Sequence, residues 1–309
     1  MEEYKRQHYV PQMLQRKFSS DKKKINILPL DTLVTETKKI KKNAQEEWYY
    51  KATDADKTSI EHNYGYIETL TGEVLHKLEN QEYGLSTEEV ETIFTFAVSQ
   101  LMRTPKTVNA MGDVLKFAVE NNIEEVVAEV ETGIRTYENV PMQSSVAIPN
   151  VMTHLCGKAF VYLRNNTPEE LILSDNPACL FCPAFCRKRE DGSYLEMPTE
   201  PLFAGYMLYL PISPNDGILF FDDDYYDIDC NEKHVVILSG EDVITLNKLQ
   251  ILNATRLIMY KDNTFDINTY SSVLDYRLSD VFRNMKDAVY TPMSRGNDIK
   301  LTGLSYKAL

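Results

Sequence analysis

Residues 206–221 read YMLYLPISPNDGILFF. Two apolar runs, Tyr206–Pro211 and Gly217–Phe221, flank Pro211-Ile212-Ser213-Pro214. Each has strand length and strand composition, because bulky apolar and aromatic side chains suit a pleated, buried surface. Phe160-Val161-Tyr162-Leu163 and Leu171-Ile172-Leu173 read as two further strands separated by a polar turn. Val235–Leu238 and Leu257-Ile258-Met259-Tyr260 add two more, with a helix expected over Val243–Arg256 between them. The second half of the chain is therefore rich in strands.

Nearer the N-terminus the period changes. Ile60, Tyr64, Ile67, Leu70, Val74, Leu75 and Leu78 recur at helical spacing, which places them on one face. Ser86 and Glu89 form a capping signal ahead of Val90, Ile93, Phe94, Ala97, Val98 and Leu101. That helix must end near Arg103-Thr104-Pro105, since the residue before a proline is pushed out of the helical region. Helices are also expected across Val108–Ala118, Ile123–Tyr137 and near Val151–Ala159. At the start, His8–Phe18 suggests a short helix or turn, followed by a small β element, with INIL as a strand and VTET as its continuation or partner. The fold class is α+β: a helical middle packed on a mixed or antiparallel sheet formed mainly by the C-terminal half and the small N-terminal β element. We expect one domain over 1–309, with 1–145 and 146–309 as its two lobes.

The chain has 309 residues, is 43% hydrophobic and 26% charged, and carries a net charge of −13. That balance belongs to an ordinary globular protein. No run is apolar enough for a membrane span and the N-terminus lacks a secretory apolar region, so the cytoplasm is the expected location. The acidic total speaks against simple non-specific binding of nucleic acid. The charge is uneven, however. Lys5, Arg6, Arg16, Lys17, Lys22, Lys23, Lys24, Lys38, Lys39, Lys41, Lys42 and Lys51 crowd the first residues, a basic region able to meet nucleic acid. Asp222–Asp229 is acidic and reads as a solvated loop.

Several polar groups stand out. His8 and Gln12 flank Pro11, which fixes the backbone between them. His8 can be a general base, a metal ligand or a phosphate contact. Gln100 and Arg103 share a helix face at its end, where Arg103 can clamp an anion or cap the helix carbonyls. Asp175 and Asn176 follow a strand, a common place for active-site acids, but Ser174-Asp175-Asn176-Pro177 is equally a turn. Cys179, Cys182 and Cys186, with His154, Cys156, Cys230 or His234, suggest a zinc site. Only one C-x-x-C is present and its neighbours are apolar, so buried reduced thiols are the better expectation. The loop after Asn176, rich in Pro and Cys, is long enough to suspect function.

The order His8-Tyr9-Val10-Pro11-Gln12 with Leu14 and Phe18, Gln100-Leu101-Met102-Arg103-Thr104-Pro105, Ser174-Asp175-Asn176-Pro177 and Pro211-Ile212-Ser213-Pro214 resembles the bacterial family called domain of unknown function 4238. The resemblance covers nearly the whole chain. Leu173 stands where that family usually has Thr, and Met13 where an aromatic is common. The resemblance implies a fold and carries no activity with it. Two functional expectations follow from the motifs. In the first, His8, Arg103 and Asp175 are catalytic in a phosphodiester hydrolase, a nuclease for example. Gln12, Gln100 and Asn176 then bind substrate, and Asp175 holds a divalent metal such as Mg²⁺. In the second, the same residues lock the fold of a non-catalytic binding protein. Satisfaction discriminates the two: groups fully paired with their own chain are scaffold, and unpaired groups facing a cavity are a site.

Overall fold

The computed structural model describes residues 6–47, 49–50, 59–132, 136–186, 192–193, 203–261, 265–280, 282, 291 and 300–307. In chain order the elements are β1 (Arg6–His8), α1 (Gln12–Lys17), β2 (Lys24–Pro29), β3 (Glu36–Lys39), β4 (Gln45–Glu47), α2 (Ser59–Glu79), α3 (Thr87–Met102), α4 (Pro105–Glu120), α5 (Glu124–Glu131), α6 (Val140–Val146) and α7 (Ile148–Leu155). Then follow β5 (Ala159–Asn165), β6 (Leu173–Ser174), β7 (Cys179–Phe181), α8 (Pro183–Cys186), β8 (Met207–Ser213), β9 (Asp216–Phe221), β10 (Tyr226–Ile228), β11 (Val235–Leu238), α9 (Gly240–Asn253), β12 (Leu257–Tyr260), α10 (Ser271–Leu278) and β13 (Leu304–Tyr306). The fold is α+β, with a helical middle and a strand-rich second half.

Two sheets dominate the described residues. One has the order β11-β5-β9-β8-β7, parallel at β11–β5 and antiparallel elsewhere. The two apolar runs within residues 206–221 lie at its centre: β8 and β9 form a hairpin, with a register shift between Pro211 and Ser213. The hydroxyl of Ser213 donates to Asp216 at 2.8 Å and closes that turn. The second sheet has the order β3-β2-β12-β6. Here β2, from the N-terminal hairpin, pairs with β12, more than two hundred residues away in sequence. One hydrophobic cluster joins Val10, Leu14 and Phe18 to Phe96 and Leu101 of α3 and to Leu208 and Leu210 of β8.

Most expected elements form, and the shifts have local causes. The Ser86–Glu89 capping box is present and α3 stops at Met102. Pro105 then becomes the first residue of α4, where its missing N–H costs nothing. On α2, Leu70 is exposed and Thr71 takes the inward position. The helix expected over Ile123–Tyr137 is shorter, α5, and residues 133–135 lie outside the described set. The helix expected near Val151–Ala159 sits earlier, over Ile148–Leu155, because Ala159 already belongs to β5. The acidic stretch after Phe221 is more ordered than a solvated loop: Tyr226 is buried, β10 pairs with β13, and Asp222 accepts from the Gly205 N–H at 2.8 Å. The loop after Asn176 contains β7 and α8, and residues 187–191 and 194–202 of it lie outside the described set. Among the described residues no helix is long and apolar enough to cross a membrane.

Candidate functional site

The N-terminal motif is positioned through its backbone. His8 in β1 pairs with Gln45 of β4, and the N–H groups of Tyr9 and Val10 both reach the Ala44 carbonyl. Arg103, 1% exposed, comes from the end of α3 and reads the other side of the same segment. Its Nε donates to the Tyr9 carbonyl at 2.9 Å and its Nη2 to the His8 carbonyl at 3.0 Å. Its Nη1 donates to Glu68 Oε1 at 2.9 Å, and the guanidinium lies 4.5 Å from the centroid of the Tyr64 ring. Arg103 is the C-cap residue of α3, where its backbone N–H donates to the Ser99 carbonyl at 3.1 Å, but its side chain does not bond the last carbonyls of its own helix. The Leu101 carbonyl is taken by the Thr107 hydroxyl at 2.5 Å, and the Met102 carbonyl by that of Ser144.

The two glutamines singled out in the sequence do not join this group. Gln12 accepts from Arg16 at 3.1 Å on α1. Gln100 is buried and donates to the adjacent Ser99 hydroxyl at 3.3 Å, while its Oε1 has no partner. The inward polar group of α1 is Gln15, which sequence reasoning missed. It donates to the Val10 carbonyl at 2.8 Å and accepts from Asn43 at 3.0 Å.

At the end of β6 the polar run is wholly buried. Asp175 Oδ1 accepts from the Thr255 N–H and Oδ2 from the Arg256 N–H, both at 2.8 Å, and Oδ1 also accepts from Asn176 Nδ2 at 3.1 Å. The carboxylate therefore fixes the turn that leads α9 into β12. Asn176 Oδ1 accepts from the Lys106 N–H at 3.1 Å. That N–H is one of the orphan donors of the first turn of α4, whose own N-cap Thr104 makes no side-chain cap. The Arg-Thr-Pro and Ser-Asp-Asn-Pro motifs thus meet at a helix start. The Lys106 ammonium, also buried, donates to Asn253 Oδ1 at 2.6 Å.

A row of amides on α9 completes this region. Asn247 Oδ1 accepts from the Ile172 N–H at 3.0 Å, and its Nδ2 donates to the Glu170 carbonyl at 2.9 Å. Gln250 accepts from the Ser174 N–H and donates to the Pro177 carbonyl, both at 2.8 Å. Asn253 donates to the carbonyls of Asn176 at 2.6 Å and Ala178 at 2.9 Å. Helical side chains here take the place of a neighbouring strand. This is why the run expected at Leu171–Leu173 forms only the short β6. The clue in the sequence is the spacing by threes of Asn247, Gln250 and Asn253, three amides set among Leu246, Leu249, Ile251 and Leu252 in the second half of the helix.

Burial governs the electrostatics. The His8 imidazole is pushed down to about 4, chiefly by burial, with Arg103 and Arg16 adding to the shift and a backbone bond to Ile40 opposing it. Burial lifts Asp175 to about 6 against the pull of its two backbone donors and of Arg256 and Arg277. Glu61 is raised to about 7 by burial, partly offset by Arg103. The Tyr9 side chain lies beside Arg256 and feels Asp175, so the N-terminal motif touches Arg103 through its backbone and the Asp175 region through Tyr9. Buried polar atoms without a partner include His8 Nε2 and the hydroxyls of Tyr49 and Tyr50.

The arrangement does not fit a metal at Asp175, because both of its oxygens are engaged by backbone N–H groups that a cation would have to displace. The cysteines of the C-x-x-C run are free and buried, and burial pushes Cys179 up to about 12 and Cys182 to about 11, as expected of inert core thiols. Among the described residues no group of three or more His, Cys, Asp or Glu side chains is placed to hold a metal ion.

Comparison with known proteins gives one match. The family model described as "Protein of unknown function (DUF4238)" matches residues 6–264. No curated protein and no solved structure matches this chain.

Proposed function

We propose that this chain, which belongs to the DUF4238 family, is a binding protein whose family motifs lock its fold, and that its lysine-bearing β2–β3 hairpin contacts a polyanion such as nucleic acid. The observation that carries the first part is satisfaction. Arg103 and Asp175 are buried, and the chain's own carbonyls, N–H groups and Glu68 occupy the guanidinium and both carboxylate oxygens. A clamp or general base needs free hydrogen-bonding capacity directed at substrate.

The second part is supported by charge placement. Lys22, Lys23, Lys24, Lys38, Lys39, Lys41 and Lys42 are exposed around this hairpin, and Lys24 faces Lys39 in register. Directly opposed like charges cost sheet stability, and an anion laid across them relieves the repulsion. Lysines also guard an unpaired sheet edge such as that of β3. Binding therefore has to be read from its salt dependence and not from composition.

The test is fluorescence anisotropy with labelled single-stranded DNA and RNA on the wild type and a Lys24→Glu/Lys39→Glu/Lys41→Glu variant. Binding that weakens steeply with salt and is lost in the variant is the expected result. Salt-independent binding, or equal binding by the variant, removes the hairpin from the proposal. A second reading, hydrolysis of a phosphate ester, is favoured by one observation. The unpartnered Nε2 of His8 and the near-neutral carboxyl of Glu61 both feel Arg103. Incubating the same nucleic acids with Mg²⁺ or Mn²⁺ separates the two. Cleavage abolished in a folded His8→Gln or Glu61→Gln variant would establish hydrolysis.

A further inference from the structure

Away from the motif region, β11 runs parallel to β5 with Val235 opposite Tyr162 and Ile237 opposite Arg164. Alternation along the two strands puts these four side chains on one face of the sheet. The turn between α2 and α3 comes down on that face, where the Tyr83 ring lies 5.4 Å from that of Tyr162. Between this turn, the end of β5 and the loop before β11 is a cavity of about 320 Å³. Tyr83, Val235 and Ile237 form its apolar side, and Gln81, Asn166 and Asn231 bring three amides to it. Arg164 and Lys233 are its charged groups, and no carboxylate is among the described residues that line it. A cationic cavity thus stands in a chain whose net charge is −13.

The lining groups themselves specify what fits. Arg164 Nη1 donates to Asp216 Oδ1 at 2.7 Å, and the Ser213 hydroxyl donates to the other oxygen of Asp216, so this ion pair is neutral as a unit. Lys233 is exposed and makes no ion pair among the described residues, which leaves one uncompensated positive charge on the cavity. Of the acids next to lining residues in the chain, Glu82 lies near Lys77 of α2, and neither it nor Glu232 lines the cavity. The amides add donors. Asn231 Oδ1 accepts from the N–H groups of Lys233 and Val235 at 2.9 and 3.0 Å, and Asn166 Oδ1 from Arg164 Nε at 3.3 Å. With those oxygens taken, each side chain has its NH₂ group to offer. The Tyr83 hydroxyl is buried beside Arg164 and has no hydrogen-bond partner. Gln81 sits where α2 ends, at φ 63°, with its N–H on the Leu78 carbonyl and that of Glu82 on the Lys77 carbonyl. Glycine is the usual residue at that position of a helix end. Glutamine bears the left-handed backbone there and supplies the cavity with a side chain that glycine lacks.

We propose that this cavity binds a small organic monocarboxylate, with the carboxylate at Lys233 and Arg164, polar atoms on the amides and an apolar part against Val235 and Ile237. One unbalanced cation matches a single negative charge, and an excess of N–H donors matches a group that only accepts. The volume is that of a small-ligand site. None of its residues belongs to the β2–β3 hairpin, so the inference goes beyond polyanion binding and stands or falls separately from it. The probe is hippurate, a monocarboxylate that carries an amide and a phenyl ring. Its neutral amide, hippuramide, and phenyl phosphate, whose phosphate holds between one and two negative charges at neutral pH, are the comparisons. Ligand-observed NMR titrations use the full chain and the variants Lys233→Ala and Gln81→Gly. Both positions are exposed, and glycine suits the backbone at Gln81, so both variants are expected to fold, which circular dichroism checks.

The expected result is saturable binding of hippurate, weaker by about tenfold in Lys233→Ala and measurably weaker in Gln81→Gly, with hippuramide about tenfold weaker on the wild type. The Lys24→Glu/Lys39→Glu/Lys41→Glu hairpin variant should bind hippurate as the wild type does. Four outcomes overturn the proposal. Absence of hippurate binding removes the ligand class. Equal binding of hippuramide means that the cavity does not read charge. Tighter binding of phenyl phosphate makes the ligand a phosphate ester. Undiminished binding by Lys233→Ala, or loss in the hairpin variant, places the anion elsewhere on the molecule.

Discussion

Arg103 holds two consecutive carbonyls, Tyr9 and His8, together with Glu68, and stacks on Tyr64. Lysine has one point-like ammonium and cannot reach this planar set of acceptors. Arg103→Lys is expected to lower the unfolding free energy by about 3 kcal/mol, since it strands buried acceptors and leaves Glu68 without its fork. Urea denaturation measures it, and a loss under about 0.5 kcal/mol would refute the locking role.

Two partly buried groups beside Arg103 give opposite pH signatures. The folded His8 is depressed to about 4 from an ordinary 6.5, so the unfolded chain binds a proton that the fold refuses. Its contribution is present above pH 6.5 and is lost as pH falls towards 4. The folded Glu61 is raised to about 7 from 4.5, so its contribution is present below pH 4.5 and is lost as pH rises through 7. Thermal melts from pH 4 to 8 should therefore show a shallower acid decline in His8→Gln and a gain at pH 8 in Glu61→Gln. Parallel curves for wild type and both variants would mean that neither group is buried as described.

At the scale of elements, α9 has the less usual role. Its amides bond the extended segment from Glu170 to Ala178, so the helix acts as a sheet edge as well as a packing face. Gln250→Leu conserves bulk but strands the Ser174 N–H and the Pro177 carbonyl, at a cost of about 2–4 kcal/mol. Ser86→Ala removes one cap of α3 and should cost about 1 kcal/mol. Chemical denaturation of the two variants ranks them, and a Gln250→Leu loss no larger than that of Ser86→Ala would show that water replaces the amide bonds. Arg277 makes a related contribution, donating to the Ile251 carbonyl at 2.7 Å and the Ala254 carbonyl at 2.9 Å where α9 ends.

At the scale of the molecule, the N-terminal hairpin pairs with β12, and Asn176 of the second half caps α4 of the first. The large hydrophobic cluster draws on residues from Tyr9 to Met259. Segments that share one core and exchange caps have little reason to unfold separately. We expect calorimetry to record a single transition whose calorimetric and van't Hoff enthalpies agree. Two resolved transitions would instead assign separate stability to the lobes 1–145 and 146–309.

The sequence by itself determined the helical middle, the ends of α3 and most of the large strands, because these depend on local periodicity, capping and proline chemistry. It also marked His8, Arg103, Asp175 and Asn176 as unusual, since each is a polar group embedded in apolar surroundings. Whether such a group catalyses or locks depends on which atoms face it, and these come from far along the chain: Tyr9 for Arg103, Thr255 and Arg256 for Asp175, Lys106 for Asn176. The partners of the α9 amides and the strand pairing of β2 with β12 were illegible for the same reason. Long-range hydrogen bonds leave no local period in the sequence, and only the tertiary structure decided that the buried polar groups meet the chain's own backbone.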